Sequence, residues 1–127
     1  MPAESESSIV IAPVKNEGEL MQALAVREVV FIEEQSVPED MERDDDDRAA
    51  YHLLAVDKGH AIGTGRLVTL KAPPEGETGQ WGRVGRMAVL QAYRKSGVGT
   101  RLLNMLEDEA KKRSFALALM SWVSTLI

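Results

Sequence analysis

The sequence predicts a mixed α+β domain built on one sheet, in the order strand, helix, two antiparallel strands, strand, helix, strand. Three observations carry this. Short apolar runs bounded by Pro, Gly and Asp mark the strands. Two segments, about 17–35 and from Val98 to Arg113, repeat their apolar residues at helical spacing. A glycine-containing turn, Arg94-Lys95-Ser96-Gly97-Val98-Gly99-Thr100, joins a strand to the second helix. At 127 residues the chain reads as a single domain, 1–127, long enough to bury about two thirds of its unfolded surface.

Each element follows from local chemistry. Residues 1–8 read as a flexible tail. Ser8 to Ala12 is a short apolar strand ended by Pro13. Asn16 is placed to cap the first helix, with Glu17 and Glu19 in its positively polarised first turn. Leu20, Leu24, Val29 or Val30, and Phe31 then recur to about residue 35, and Pro38 ends the segment. Residues 36–48 have no apolar period and hold Glu39, Asp40, Glu42 and Asp44 to Asp47. Tyr51–Val56 and Ala61–Leu70 form a hairpin across a turn at Asp57-Lys58-Gly59-His60, and Ala72–Gly79 is a loop by composition. Trp81–Leu90 is the next strand. From Val98, residues Leu102, Leu103, Leu106 and Ala110 share one helical face, and Lys111, Lys112 and Arg113 favour its negative end. Phe115 to Ile127 is almost wholly apolar and reads as a buried strand.

Composition removes several function classes. Hydrophobic residues make up 44% and charged residues 28%, as in ordinary globular chains, which excludes disorder and collagen. With 0 Cys there is no disulfide scaffold, thiolate zinc site or cysteine nucleophile, and 2 His argue against a metal cluster. The net charge of -5 argues against a nucleic-acid partner and suits a cationic substrate. No apolar run approaches the ~20 residues of a membrane span. The opening MPAESESS lacks the basic start of a signal peptide, so the expected location is cytoplasmic.

The turn at 94–100 is the strongest chemical signal. Glycines let a backbone turn tightly and approach a ligand closely. The first turn of a helix presents unpaired N–H groups and partial positive charge, which bind phosphate groups. Arg94 and Lys95 add full charge, and Ser96 and Thr100 add hydroxyl donors. The expected ligand is a pyrophosphate. A Walker loop needs Gly-Lys followed by Ser or Thr, which this chain lacks, and the dinucleotide fingerprint needs a third glycine that is missing after Gly99.

Arg94-x-x-Gly97-x-Gly99 after the Met87-Ala88-Val89 strand resembles the acetyl-CoA motif of the GCN5-related N-acetyltransferases. Arg27 to Gln35, Pro38, the acidic loop and Gly63-Thr64-Gly65-Arg66-Leu67 resemble a small single-domain bacterial branch of that family. The resemblance implies a central, mostly antiparallel sheet flanked by helices. It implies acetyl-CoA as co-substrate, with the pyrophosphate over Arg94, Lys95, Ser96, Gly97, Val98, Gly99 and Thr100. It also implies a V-shaped gap beside Arg86–Val89, where the pantetheine arm pairs like an added strand on Met87, Ala88 and Val89. The Val89 amide would face the thioester oxygen. The acceptor would be a primary amine of a small molecule or peptide.

Such an amine, with an ordinary pKa near 10.4, must lose a proton at a cost of roughly 4–5 kcal/mol at pH 7. Glu33 and Glu34 are the best-placed carboxylates by resemblance, and Glu34-Gln35 matches the branch motif more closely, which makes Glu34 the candidate base. The acidic loop 39–47 reads either as a solvated face or as a surface that draws a cationic amine. It lacks the spacing of a calcium loop. His52 is expected on a strand face and His60 in a turn. Arg66 and Arg86 read either as surface residues or as contacts to an anionic substrate group.

The chain departs from the family pattern at its end. The resemblance implies a further helix with a Phe-Tyr pair and more strand, whereas the sequence stops at Ser124-Thr125-Leu126-Ile127. The family's tyrosine acid has no counterpart, since neither Tyr51 nor Tyr93 matches its position. The last strand would be left uncovered, which invites pairing with a second copy of the chain. A non-catalytic CoA-binding or regulatory module is the alternative reading.

Overall fold

Short, largely apolar runs bounded by turn residues place five strands, and two helices cover them. A computed structural model of the chain describes residues 8–37 and 45–119. The strands are β1 (Ile9–Pro13), β2 (Tyr51–Asp57), β3 (His60–Thr69), β4 (Trp81–Val89) and β5 (Ala116–Leu119). They form one sheet in the order β1-β2-β3-β4-β5, antiparallel except for the parallel β4–β5 pair. The helices are α1 (Glu17–Arg27) and α2 (Val98–Lys112). The flexible tail expected over residues 1–8 lies, apart from Ser8, outside the described residues.

The central strands β2, β3 and β4 are buried on both faces. Leu53, Ala55, Leu67 and Met87 pack with Val98, Leu102, Leu106 and Ala110 of α2 in one cluster. Ala88 packs with Val26, Val30 and Phe31 on the other face. The approach of α2 depends on Gly65. A Cβ built there would lie 2.9 Å from Leu106 Cδ1, so a side chain at this position would force the Leu106 side chain to shift.

α1 starts where expected. Asn16 Oδ1 accepts from Glu19 N at 2.8 Å, and Glu19 Oε1 accepts from Lys15 N at 2.8 Å. This reciprocal pair closes the helix start. The expected helix to residue 35 is only partly α. From Glu28 to Glu34 the chain is π-helical, a wider winding that apolar spacing does not announce.

β4 carries a bulge. Arg66 pairs with Gly85 but Thr64 with Ala88, so β4 has one residue more than β3 there, and Arg86 sits at φ 49. β4 pairs with β5 from Trp81–Ala116 to Val84–Leu119. The gap expected beside Arg86–Val89, and the strand expected over 120–127, fall outside the described residues.

Candidate functional site

The site grows from the end of β4. After Val89 the chain makes a 3-10 turn, Gln91–Tyr93, whose start is fixed by Leu90 N donating to Ile62 O at 2.9 Å. The Tyr93 hydroxyl donates to Asp57 Oδ2 at 2.6 Å, tying this turn to the β2–β3 hairpin. The Ser8 hydroxyl donates to Asp57 Oδ1. These two hydrogen bonds hold the Asp57 carboxyl below the usual carboxylate range, and the same bond to Asp57 pushes the Tyr93 phenol up.

The turn then runs through two left-handed residues, Lys95 at φ 66 and Gly97 at φ 93. Gly97 is the N-cap of α2 and supplies no side-chain hydrogen bond. A Cβ there would meet nothing within 4 Å, so the glycine answers to backbone angle rather than to space. The first turn-to-turn bond of α2 is Arg101 N to Gly97 O at 3.0 Å. The amides of Val98, Gly99 and Thr100 therefore precede the helix's own ladder, and no side chain of the N-cap takes them. Lys95 and Thr100 are exposed beside them. Ser96 is exposed too, but its hydroxyl donates to the Tyr93 carbonyl, so its proton closes the turn instead of facing a ligand.

Arg94 and Glu34, 60 residues apart in sequence, meet here. Arg94 Nη2 donates to Glu34 Oε1 at 3.0 Å and to Oε2 at 2.9 Å, while its Nε donates to the Val89 carbonyl at 2.8 Å. The structure thus joins the expected base, the expected loop and the end of the expected pantetheine strand through one guanidinium. An apolar recess of about 310 Å³ opens nearby, lined by Val26, Val29, Ala61, His60 and Leu90. A second recess, of about 350 Å³ and lined by Lys15, Arg48, His52 and Arg113, shares no residue with the glycine turn.

Two expectations change. Asp47 is not part of a solvated acidic face: it is 7% exposed and ion-paired with Arg27 at 2.6 Å and Arg66 at 2.7 Å. Arg66 is 2% exposed and serves this cluster, so it is neither a surface residue nor a substrate contact. The reason is burial: guanidiniums at this depth need a carboxylate beside them. His52 lies on the strand face as expected, 5% exposed, with Nε2 at 2.7 Å from Asp47 O, and burial pulls its pKa below the ordinary value. Residues 39–44 of the acidic loop fall outside the described residues. Sequence reasoning missed the Tyr93–Asp57 bond and the Asp47 cluster. One Asp in a run of four offers no signal to single it out.

Among the described residues no group of three or more His, Cys, Asp or Glu is placed to hold a metal, and no helix is long and apolar enough to cross a membrane.

A mixed five-stranded sheet between two helices, with an uncapped glycine turn where β4 meets α2, defines the acyl-CoA N-acyltransferase fold class. Comparison with known proteins narrows this. The model of the Acetyltransferase (GNAT) family matches residues 19–125, and the chain belongs to that family. An uncharacterized N-acetyltransferase of Bacillus subtilis, YjcF, is 34% identical over 96 residues, covering 76% of this chain and 63% of that protein. The chain spans 63–69% of the length of the curated relatives it matches. Two crystal structures share the fold. A GCN5-related N-acetyltransferase from Ralstonia eutropha JMP134 superposes with a TM-score of 0.71 at 18% identity, covering 89% of this chain and 83% of that one. A predicted acetyltransferase from Clostridium acetobutylicum, crystallised with acetyl-CoA, gives 0.70 at 19% identity, covering 89% and 80%.

Proposed function

We propose that this chain binds acetyl-CoA at the turn 94–100 and transfers the acetyl group to a primary amine of a small molecule or peptide. The observation that carries the reading is the contrast between the two helix starts. α1 is closed by its own Asn16 and Glu19 side chains, whereas α2 begins behind a left-handed glycine with no side chain of its cap on its amides. Those amides and the Lys95 ammonium suit the diphosphate. Met87, Ala88 and Val89 offer the strand along which the pantetheine arm lies.

In this reading the amine nitrogen attacks the thioester carbonyl carbon. The carbonyl oxygen gathers negative charge, which the Val89 N–H stabilises. The carbon–sulfur bond then breaks, and the CoA thiolate leaves with the electron pair. A thiolate of ordinary pKa near 8.5 departs without a strong acid. The Tyr93 proton is committed to Asp57 and takes no part. The amine's proton passes to Glu34, directly or through one water, on a lone pair that Arg94 leaves open. The reading includes a cytoplasmic location and a second copy at the β5 end of the sheet. A purely monomeric species in sedimentation would remove that second copy.

Thermal shift with acetyl-CoA, CoA, NAD and ATP tests the binding step. Acetyl-CoA and CoA should raise the melting temperature and the nucleotides should not. Protection by ATP or NAD alone would reject it. Release of free thiol only when acetyl-CoA and an amine are both present tests the transfer.

A further inference from the structure

The recess at the start of β2 sets an unmet acceptor beside three cations. It lies at the far end of the sheet from the glycine turn. His52, near the start of β2, lines it, whereas Asp57, which ends β2, is tied to Tyr93 just before that turn. Extended strand from 52 to 57 spans about 17 Å. At about 350 Å³ the recess falls within the range of small-molecule sites, roughly 300–1,000 Å³. His52 Nε2 lies 2.7 Å from the Asp47 carbonyl oxygen, which can only accept, so Nε2 carries the proton. In the neutral ring, which burial favours, Nδ1 is then an acceptor with one lone pair. His52 is 5% exposed, and its Nδ1 is buried with no hydrogen-bond partner. A buried acceptor left unmet is costly and calls for a donor. Around it the lining is cationic. Lys15 and Arg48 are exposed and form no ion pair among the described residues. Arg113 is held by Nε donating to Glu109 Oε2 at 2.9 Å and by stacking 5.1 Å over the Tyr51 ring, which orients the rest of its guanidinium. Of the two carboxylates in the lining, Asp47 is paired with Arg27 and Arg66, which leaves Glu17 against three cations.

We propose that this recess binds inorganic phosphate, with the charge held by Lys15, Arg48 and Arg113 and the phosphate hydroxyl donating to His52 Nδ1. The two halves of the site ask for different things. The cations ask for an anion, and the imidazole asks for a donor. Few small anions supply both at neutral pH. Hydrogen phosphate keeps an O–H there. Sulfate and simple carboxylates have none. A phosphomonoester, with a second pKa of about 6, has mostly lost its own. A site that hydrogen-bonds a ligand hydroxyl rejects an analogue lacking it, because the site's own buried group is then left unmet. The recess shares no residue with the turn 94–100, so this inference stands apart from the acetyl-CoA reading.

The test reads the imidazole directly. The full chain, labelled with 15N in its histidine rings, is titrated at about pH 7.5 and constant ionic strength with inorganic phosphate, sulfate or methyl phosphate. The chain has 2 His, and His60, exposed at the start of β3, is the internal control. Phosphate should move the His52 Nδ1 signal saturably toward its hydrogen-bonded position and leave His60 in place. Sulfate and methyl phosphate should bind at least about tenfold more weakly. Arg48→Gln and Lys15→Gln, both at exposed positions, should each raise the Kd for phosphate about three- to tenfold. A His52 Nδ1 signal that phosphate does not move would overturn the proposal and leave this acceptor to water. Phosphate held only at the α2 amides gives that same null result at His52. Sulfate shifting Nδ1 as phosphate does would overturn it too, since charge alone then suffices. So would an unchanged phosphate Kd in the variant lacking both Lys15 and Arg48.

Discussion

Replacing Asp47 by Asn perturbs the most deeply buried charge cluster among the described residues while changing almost no volume. The carboxylate accepts from Arg27 Nη1 at 2.6 Å and Nη2 at 3.3 Å, and from Arg66 Nη1 at 2.7 Å. Arg27 is 1% and Arg66 2% exposed, so neither guanidinium can recover the lost charge from water. An amide keeps one acceptor but turns an NH2 toward a donor. Breaking a buried ion pair by removing one partner costs about 3–5 kcal/mol. Domains of this kind hold a net stability of about 5–15 kcal/mol, so the variant should retain a folded state with little margin. In urea, with a slope of about 2 kcal/mol per molar, the midpoint should fall by about 1.5–2.5 M at unchanged slope. Converting Asp47, Arg27 and Arg66 together to apolar residues of similar volume should restore much of the loss, because the three mutually paired charges are then removed together. A loss below about 1 kcal/mol for Asp47→Asn alone would refute the argument, since two guanidiniums that tolerate losing this carboxylate are not held by it.

Four further outcomes are expected. Gly97→Ala meets no neighbour, so its cost is the left-handed backbone alone, about 1–2 kcal/mol, and by re-aiming the α2 amides it should weaken acetyl-CoA binding in a titration. Unchanged affinity would remove the amides from the site. Tyr93→Phe removes one of the two hydroxyls on Asp57, so the Asp57 pKa should move up toward its ordinary value in a carboxyl NMR titration, and acetyl-CoA affinity should weaken as the turn loses its tie to the hairpin. An Asp57 that titrates as before would contradict the hydrogen-bond account. His52 is held below its ordinary pKa by burial, so the unfolded chain binds the proton first. Stability should be at its full value above about pH 6.5 and decline as pH falls below it, by up to about 1.4 kcal/mol per pH unit. Denaturation midpoints across pH 5–8 that are no flatter in His52→Gln would assign the slope elsewhere. Gly65→Ala places a Cβ 2.9 Å from Leu106 Cδ1 and should destabilise by about 1–2 kcal/mol, read in the same urea experiment, and a neutral result would mean Leu106 has room to rotate.

What was legible in the residues were features settled within a few positions of the chain. Asn16 caps α1 through Glu19, three residues on. Apolar runs either side of the Asp57–His60 turn place the strands of the hairpin, and the face of Leu102, Leu106 and Ala110 lies on the sheet as its spacing predicts. The turn before Val98 was recognisable because Gly97 sits at φ 93, a left-handed backbone that favours glycine.

Tertiary structure alone decided which charges meet. Asp47 reaches Arg27 across 20 residues, Tyr93 reaches Asp57 across 36, and Arg94 reaches Glu34 across 60. Nothing local distinguishes Asp47 from the aspartates beside it, because burial is a property of the packed sheet and not of the tetrad. The bulge at Arg86 and the π-helical winding over Glu28–Glu34 are likewise paid for by packing and not by propensity. Short-range steric and capping rules wrote the elements into the sequence. The pairing of distant polar groups, whose strength depends on the water excluded around them, waited for the fold.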